Sequence, residues 1–326
     1  MTRAVKDSRC RPRVANDRKL WGMQDLNALT LPQLFEAITA DGSLDRLLSA
    51  ARAEDLGEIG DVTTRSIIQD DWEVRAAGVA RQAGTVAGLV VIPRVLEVFD
   101  CDARTEILSS DGEACEQGQT LWRMLGELGP ILAVERTMLN LVGRLSGIAT
   151  LTRRYVDAIN GTTAVICDTR KTTPGMRSLE KYAVRCGGGT LHRIGLHDAV
   201  LYKDNHLQHL GLSELAQGVA DAARKARDQF DLRFVQVEVD TLKQLQLILG
   251  CEPGLIDMVL LDNMTPDQVR DAVAARDKLA PQILLEASGS ITLQTVRAVA
   301  ETGVDRISIG ALTHSANCLD IGLDLA

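Results

Sequence analysis

The sequence predicts an α/β protein in which an N-terminal α+β region precedes a closed or nearly closed α/β barrel. After residue 160, short apolar segments alternate with helical segments, and the last four recur at about 24-residue intervals, the length of one βα unit. Each apolar segment ends in polar or small residues, as at the carboxyl ends of barrel strands. A doubly wound open sheet is the competing architecture. It would usually have a glycine-rich first turn, whereas the first strand here ends in Asp168-Thr169-Arg170-Lys171.

The residues before 160 mix helical and strand patterns. Apolar residues at helical spacing predict helices, and alternation around glycines predicts short antiparallel strands and turns. The longest apolar stripe predicts a helix that carries Glu135 and Arg136 near its start. In chain order the predicted elements are a helix within 24–58, strands within 72–92, a helix over 95–99, strands within 104–130 and a helix over 130–158.

Six strands are predicted for the barrel. Each is short and apolar, and each is followed by a helical pattern, which indicates parallel strands joined by right-handed crossovers. The predicted strands are Ala164–Cys167, Ala199–Tyr202, Phe234–Val239, Met258–Leu261, Ile283–Glu286 and Arg306–Ile309.

The composition argues against a nucleic-acid-binding protein. The chain has 36 basic and 44 acidic residues, a net charge of −8, and only 3% aromatic residues. A broad basic face and a base-stacking platform are therefore not expected. No apolar run approaches the roughly 18 residues of a membrane span, so no membrane partner is expected either.

Cysteine usage and the N-terminus indicate a cytoplasmic protein with a basic tail. The seven cysteines are scattered without a C-x-x-C pair, which favours a reducing compartment without disulfides. Residues 1–24 carry many basic residues but no apolar signal core, which predicts a flexible basic tail. Asp7 and Asp17 interrupt the pattern of an organelle transit peptide, the alternative for this segment.

A cluster of cations within residues 168–206 predicts an anion site. Arg170, Lys171, Arg193 and Lys203 each follow an apolar strand or lie in a tight glycine-bounded segment, and His192 precedes Arg193. Solvated surface charge is the alternative for such residues. A local cationic nest in an acidic chain instead favours a small anionic ligand, since arginine pairs bidentately with carboxylate or phosphate.

Two carboxylates follow neighbouring predicted strands. Glu238 and Asp262 end the segments Val-Gln-Val-Glu and Val-Leu-Leu-Asp. Such a pair suits Mg²⁺ that is bound partly by substrate phosphates, although a helix cap or a surface salt bridge would explain either residue alone. Zinc is not favoured, because no cysteine pair or H-E-x-x-H pattern accompanies the histidines.

Small residues follow the last two predicted strands. The segments Glu286-Ala287-Ser288-Gly289-Ser290 and Ile309-Gly310-Ala311 would expose backbone N–H groups before helices. Phosphate sites of many barrels are formed by the last two such loops. A tight βα turn without a ligand is the alternative.

Together these segments resemble the quinolinate phosphoribosyltransferases, also called carboxylating nicotinate-nucleotide pyrophosphorylases. The similarity covers roughly residues 45–318 and leaves the first forty or so residues outside. The segments that carry it are EDLGEIGDVTT, ERTMLNLVGRLSGIAT, DTRKTTPGMRSLEKYAVRCGGGTLHRIGLHDAVLYKDNHL, VEVD, LLDNM, LEASGSI and ISIGALTHS.

The resemblance implies an N-terminal α/β sandwich domain and an open α/β barrel domain. On this basis residues 25–138 would form the sandwich, 139–310 the barrel, and 311–326 a C-terminal helix packing back on the N-terminal domain. It also implies a homodimer that converts quinolinate and phosphoribosyl pyrophosphate, with Mg²⁺, to nicotinate mononucleotide, pyrophosphate and CO₂ in de novo NAD biosynthesis.

The resemblance further implies a role for each site residue. Arg136 would reach into the partner's active site. Quinolinate would be bound by Arg170, His192, Arg193 and Lys203, with Lys171 close to both substrates. Glu238 and Asp262 would face the ribose and its Mg²⁺, and with Lys171 they are the predicted catalytic residues. The 5′-phosphate would lie beside Ser288, Gly289, Gly310 and His314. Ser290 departs from the family pattern, since many members have a second glycine there.

Three other functions stay open from the sequence. A barrel lyase or aldolase would use Lys203 or Lys171 as a Schiff base. A non-catalytic anion-binding protein would bind quinolinate without turnover. A paralogue of the same family would act on another pyridine or nitrogen base.

Overall fold

A computed structural model of the chain describes residues 25–68 and 72–325. The predicted basic tail, residues 1–24, lies outside the described residues. The described part before residue 160 contains five helices, one 3₁₀ turn and five strands. They are α1 (Leu31–Thr39), α2 (Ser43–Leu56), α3 (Val62–Ile67), β1 (Glu73–Ala80), β2 (Gly84–Thr85), the 3₁₀ turn Leu89–Val91, α4 (Ile92–Val98), β3 (Arg104–Ile107), β4 (Ala114–Cys115), β5 (Thr120–Glu127) and α5 (Leu128–Ala158).

The second part alternates strands and helices, as the sequence predicts. All six predicted barrel strands are present. The elements are β6 (Val165–Cys167), α6 (Arg177–Cys186), β7 (Val200–Tyr202), α7 (Asp204–Leu207), α8 (Leu212–Gln229), β8 (Val235–Val239), α9 (Leu242–Leu249), β9 (Met258–Asp262), α10 (Pro266–Leu279), β10 (Leu284–Ser288), α11 (Val296–Ala300), β11 (Arg306–Ser308), α12 (Ala311–His314) and β12 (Ile321–Leu325).

The six barrel strands form one parallel sheet that curves into an open barrel. The strand order is β6-β11-β10-β9-β8-β7, so the first and last strands in sequence pair and the opening lies between β6 and β7. A single parallel bridge between Cys167 and Thr190 lies on the β6 side of this opening. Because all strands are parallel, their carboxyl ends lie at one edge of the barrel.

The first part is built on an antiparallel sheet of order β12-β1-β5-β3. The long helix α5 packs on this sheet and also against α6 of the barrel. Its Val134, Met138, Leu145 and Ile148 are fully buried in the core. The predicted domain boundary after residue 138 falls inside this continuous helix.

The C-terminal segment differs from its prediction. A helix over 311–326 is wrong, since only Ala311–His314 is helical and Ile321–Leu325 is a strand. This strand pairs antiparallel with β1, so the segment does return to the N-terminal sheet. Ile321 is buried and Leu323 partly buried against the core, whereas Leu325 is half exposed, so pairing with β1 rather than a fully buried face defines the strand.

Two predictions in the first part also need correction. The helical segment 24–58 consists of two helices, because Gly42 adopts a left-handed φ of +73° between them. The segment 72–92, predicted as strands and turns, becomes helical from Leu89. Among the helices in the described ranges, none combines the length and apolar character needed to cross a bilayer.

Candidate active site

The carboxyl edge of the barrel collects most of the predicted site residues. Glu238 lies near the end of β8, and Asp262 and Ser288 are the last residues of β9 and β10. Asp262 pairs directly with Ser288 in the strand register. Other predicted residues follow the barrel strands at the same edge: Arg170, Lys171, Lys203, Gly289 and Gly310 in loops, and His314 at the end of α12.

Lys203 and Glu238 form an ion pair at this edge. The Lys203 Nζ lies 2.5 Å from Glu238 Oε2, because Tyr202 and Val237 are paired across β7 and β8. The Glu238 side chain is nearly buried, whereas that of Lys203 is about half exposed. Lys203 therefore offers donors both to Glu238 and to a ligand above the barrel.

Arg170 and Arg193 concentrate positive charge beside this pair. Arg193 is buried, and burial and the nearby Arg170 lower the pKa of its guanidinium. Burial and the nearby Arg177 likewise lower the pKa of Arg170, although arginine stays protonated in proteins. Among the described residues, neither guanidinium has a carboxylate oxygen within 4.0 Å. The cluster is therefore stabilised by any anion that enters it.

His192 is buried and directs its ring into the barrel. The backbone N–H of Arg193 donates to Nδ1 at 2.8 Å, and Nε2 lies 2.8 Å from Gln236 Oε1. When Nδ1 accepts this bond, Nε2 carries a proton and donates to Gln236. His192 can bind a ligand only by exchanging its bond to Gln236.

Glu286 places a buried carboxylate below His192. The sequence analysis did not predict a role for this side chain. Glu286 Oε1 lies 3.3 Å from His192 Nε2, and Arg306 Nε donates to Glu286 Oε2 at 2.9 Å. Burial opposes ionisation of Glu286, but the His192 and Arg306 side chains lower the pKa of the carboxyl to about 2. Glu286 is thus an anion inside the barrel, directly beneath the cationic cluster.

Asp168 and Lys181 form a second buried ion pair that the sequence did not reveal. Both side chains are fully buried, with 2.6 Å between Lys181 Nζ and Asp168 Oδ2. The other oxygen, Asp168 Oδ1, accepts from the backbone N–H of His192 at 2.7 Å. The pair therefore fixes the backbone of the His192-Arg193 segment to β6.

Lys171, Gly310 and His314 lie together after β6 and β11. A Cβ on Gly310 would lie 2.7 Å from Lys171 Cδ and 3.3 Å from His314 Nε2, so a side chain there would displace the lysine stem. The Thr313 hydroxyl donates to the Lys171 carbonyl at 2.6 Å. The Lys171 backbone is thereby held at the end of the barrel where a phosphate site is predicted.

The loop after β10 has the strained geometry of a close-approach turn. Gly289 adopts φ +99°, and a Cβ there would collide with the Asn263 side chain. Ser290 also has a left-handed φ of +49°, a conformation that costs a non-glycine residue energy. Glycine adopts such a φ without this cost, which explains why glycine suits position 290. The Ser290 side chain is exposed at the loop.

Glu238 and Asp262 fit a Mg²⁺ that is held mainly by a substrate. Both are oxygen donors near the ends of adjacent strands, as Mg²⁺ requires. Each already accepts one hydrogen bond, from Lys203 and from Asn263 respectively. Within 25–68 and 72–325, no three His, Cys, Asp or Glu side chains converge as a metal site. This donor set allows a Mg²⁺ that is bound by one or two carboxylates, with phosphates and water as its other ligands.

Arg136 lies apart from the barrel edge. It is exposed on the outer face of α5, with only Glu135 at 4.0 Å as an ionic neighbour in the described chain. Two grooves of about 530 and 350 Å³ lie in the first part of the chain. The smaller one is lined by Thr64, Trp72 and Ala133, and Ala133 precedes Arg136 by one turn of α5.

Comparisons with known proteins agree with this architecture. The family profile "Quinolinate phosphoribosyl transferase, C-terminal domain" matches residues 148–324, and "Quinolinate phosphoribosyl transferase, N-terminal domain" matches 61–146. A carboxylating nicotinate-nucleotide pyrophosphorylase of Mycobacterium leprae is 46% identical over 274 residues, which cover 83% of this chain and 93% of the relative. A probable enzyme of the same name from Bacillus subtilis is 39% identical over 284 residues, covering 86% and 93%.

Solved structures extend the similarity to the fold. The nicotinate-nucleotide pyrophosphorylase of Francisella tularensis superimposes with a TM-score of 0.79 at 32% identity, covering 93% of this chain and 99% of that one. The enzyme of the same name from Ehrlichia chaffeensis has a TM-score of 0.78 at 36% identity, covering 86% and 98%. Both family profiles, the relatives and the barrel-edge geometry agree: the chain belongs to the quinolinate phosphoribosyltransferase family.

Proposed function

We propose that this chain transfers the phosphoribosyl group of phosphoribosyl pyrophosphate to quinolinate, with loss of CO₂, to give nicotinate mononucleotide and pyrophosphate for NAD biosynthesis. The observation that carries the proposal is the pair of guanidinium groups of the partly buried Arg170 and the buried Arg193 at the carboxyl edge of the barrel, neither with a described carboxylate oxygen within 4.0 Å. Two fixed cations suit a ligand with two carboxylates, such as quinolinate, better than a ligand with a single anionic group.

The cations first overcome repulsion between the substrates. Quinolinate is a dianion and the sugar pyrophosphate is a polyanion, so they repel each other in water. Arg170, Arg193 and Lys203 would bind the carboxylates, with His192 joining by releasing Gln236, while Lys171 lies between the two ligands. Fixed positioning of this kind supplies several kcal/mol of the barrier.

Charge stabilisation follows as the bond to pyrophosphate breaks. C1 of the ribose becomes positive, and the carboxylates of Glu238 and Asp262 lie where they would stabilise that charge. The pyridine nitrogen then forms a bond to C1. The resulting pyridinium accepts the electron pair of the adjacent C–CO₂ bond, CO₂ leaves, and a proton takes its place on the ring. Mg²⁺, held by the phosphates with Glu238 and Asp262, would neutralise the leaving pyrophosphate.

The test is turnover by the purified protein with quinolinate, phosphoribosyl pyrophosphate and Mg²⁺, following nicotinate mononucleotide. Turnover is expected to require all three and to stop when a chelator removes the metal. Glu238→Gln and Asp262→Asn are expected to raise the Mg²⁺ concentration needed for half-maximal rate, because each removes a charged oxygen ligand. Asp221→Asn, on the exposed face of α8, serves as the matched control and should leave that concentration unchanged.

Other outcomes of the same assay identify the rival functions. Binding of quinolinate without turnover would mean an anion-binding protein. Turnover with a different nitrogen base but not with quinolinate would mean a paralogue. A covalent adduct trapped by borohydride with a keto substrate would mean a Schiff-base lyase using Lys171 or Lys203.

A homodimer that shares its active sites would explain the position of Arg136. An exposed apolar patch made of Ile59, Val62, Ile67 and Trp72 lies beside the start of α5. Exposed apolar surface of this kind marks an interaction site. A second copy covering this patch would bring Arg136 toward the partner's barrel edge, where an anionic substrate would bind it.

Mixed dimers test whether Arg136 acts in the partner's site. At a quinolinate concentration near the wild-type KM, Arg136→Ala and Arg193→Ala homodimers should each be nearly inactive. A dimer with one protomer of each kind should recover about half of the wild-type activity, because one of its two symmetric sites has both arginines intact. Arg123→Ala, which removes an arginine of similar exposure on β5, should not change activity. Mixed dimers no more active than their parents would place Arg136 in its own protomer's site.

The cysteines support a cytoplasmic setting. The six cysteines of the described residues are all free, and four of them are buried. Free buried thiols suit a reducing compartment.

A further inference from the structure

We infer that Arg144 and Glu180 are positioning residues that set the conformation of the Lys171 loop. They belong to a ring of hydrogen bonds that joins the long helix α5, helix α6 and helix α12 to this loop. We call the ring the α5 clasp and define it as Lys171, Thr173, Glu180, Arg144 and Thr313. The inference rests on the proposed phosphoribosyl transfer, in which Lys171 contacts the substrates.

The centre of the clasp is a shielded ion pair. Glu180 is fully buried, and its Oε1 accepts from Arg144 Nη2 at 2.8 Å and from Arg144 Nε at 3.2 Å. The same carboxylate accepts from the Thr173 backbone N–H at 3.0 Å and from the Thr173 hydroxyl at 2.9 Å. Four charge-assisted bonds therefore converge on one buried carboxylate, and two of them hold the loop that follows Lys171.

The other side of the clasp reaches Lys171 itself. Arg144 Nη2 donates to the Thr313 carbonyl, and Arg144 Nη1 donates to the Ala316 carbonyl at 2.9 Å. The buried Thr313 hydroxyl in turn donates to the Lys171 carbonyl at 2.6 Å. The backbone of the loop is thus held at Lys171 by Thr313 and at Thr173 by Glu180. Both of these partners are hydrogen-bonded to Arg144.

No clasp residue other than Lys171 belongs to the predicted substrate site. Arg144 is mostly buried and Glu180 and Thr313 are fully buried. The Thr313 hydroxyl also lies 3.2 Å from the Gly310 carbonyl, so energetic coupling to Lys171 is the result that shows the clasp acting through the Lys171 loop.

Thr313→Val tests the clasp most directly. It keeps the side-chain shape and removes one hydrogen-bond donor without leaving a buried charge. Arg144→Ala is less useful, since it would strand the Glu180 carboxylate and destabilise the fold. Thr313→Ser keeps the hydroxyl and should restore the wild-type rate. Thr302→Val is the matched control, because the Thr302 hydroxyl is also buried and also donates to a backbone carbonyl, that of Val299, at 2.6 Å.

The experiment measures kcat and KM for nicotinate mononucleotide formation in the wild-type and Lys171→Met backgrounds. Thr313→Val should lower kcat/KM about fivefold to tenfold in the wild-type background, the loss of about one hydrogen bond, and less than twofold in Lys171→Met. Thr302→Val should have no effect in either background. Equal losses in both backgrounds, or no loss with Lys171 present, would overturn the clasp.

Backbone hydrogen exchange gives a second readout that does not depend on turnover. Exchange of the Thr173 amide, which Glu180 holds, should accelerate in Thr313→Val and in Glu180→Gln but not in Thr302→Val. Unchanged exchange in both clasp variants would overturn the inference even if the wild-type protein has no transferase activity. Accelerated exchange in a protein without activity would instead retain the clasp and reject the proposed reaction.

Discussion

Replacing Arg193 by alanine should raise the KM for quinolinate roughly 30- to 1,000-fold, equivalent to a loss of about 2–4 kcal/mol of binding free energy. Arg193 is buried beside a second arginine, and no described carboxylate within 4.0 Å neutralises it. The variant therefore removes a cation that a ligand carboxylate can pair with directly. Steady-state kinetics with each substrate varied in turn would measure the change, and the KM for phosphoribosyl pyrophosphate should move much less.

Two further variants separate charge, geometry and folding. Arg193→Lys keeps the charge but loses the planar fork, so its KM should lie between those of wild type and alanine. Arg276→Ala removes an equally buried arginine that pairs with Asp305 before β11, at the opposite edge of the barrel. It should lower stability without changing the quinolinate KM. A KM for Arg193→Ala within twofold of wild type would remove Arg193 from the carboxylate site.

The barrel could be predicted because its signals are local. Each strand is an apolar run of a few residues, and each run ends at a polar or small residue such as Asp262 or Ser288. The carboxyl ends of parallel strands lie at the same edge of the barrel. A residue at the end of such a run can therefore be assigned to that edge from the sequence alone. The pairing of Asp262 with Ser288 follows from that rule.

Features that depend on distant contacts could not be predicted. The strand Ile321–Leu325 is defined by pairing with β1, more than two hundred residues earlier in the chain. Lys181 and Glu180 lie in the short polar helix α6, where charged residues are usually solvated, yet both are fully buried. Their partners, Asp168 and Arg144, lie on other elements, so no spacing pattern connects them.

The Lys181–Asp168 ion pair should be the most sensitive point in the stability of the barrel. Both side chains are fully buried, and burial lowers the pKa of Lys181 although the adjacent Asp168 opposes this shift. Lys181→Met would leave the Asp168 carboxylate buried without a counter-ion. We expect this variant to lose about 3–5 kcal/mol of unfolding free energy, a large part of the total for a typical protein.

The double variant Lys181→Met/Asp168→Asn should recover at least half of that loss. It removes both charges, and an asparagine oxygen can still accept the His192 backbone N–H that Asp168 now accepts at 2.7 Å. Urea unfolding of the single and double variants measures the two values. Two outcomes would show that the charges of the pair do not stabilise the barrel: a loss of less than about 1 kcal/mol of unfolding free energy for Lys181→Met, or a double variant less stable than the single one. Recovery of stability together with quinolinate binding would show that the buried pair serves to hold the His192-Arg193 segment in place, and that an uncharged pair of the same shape does so as well.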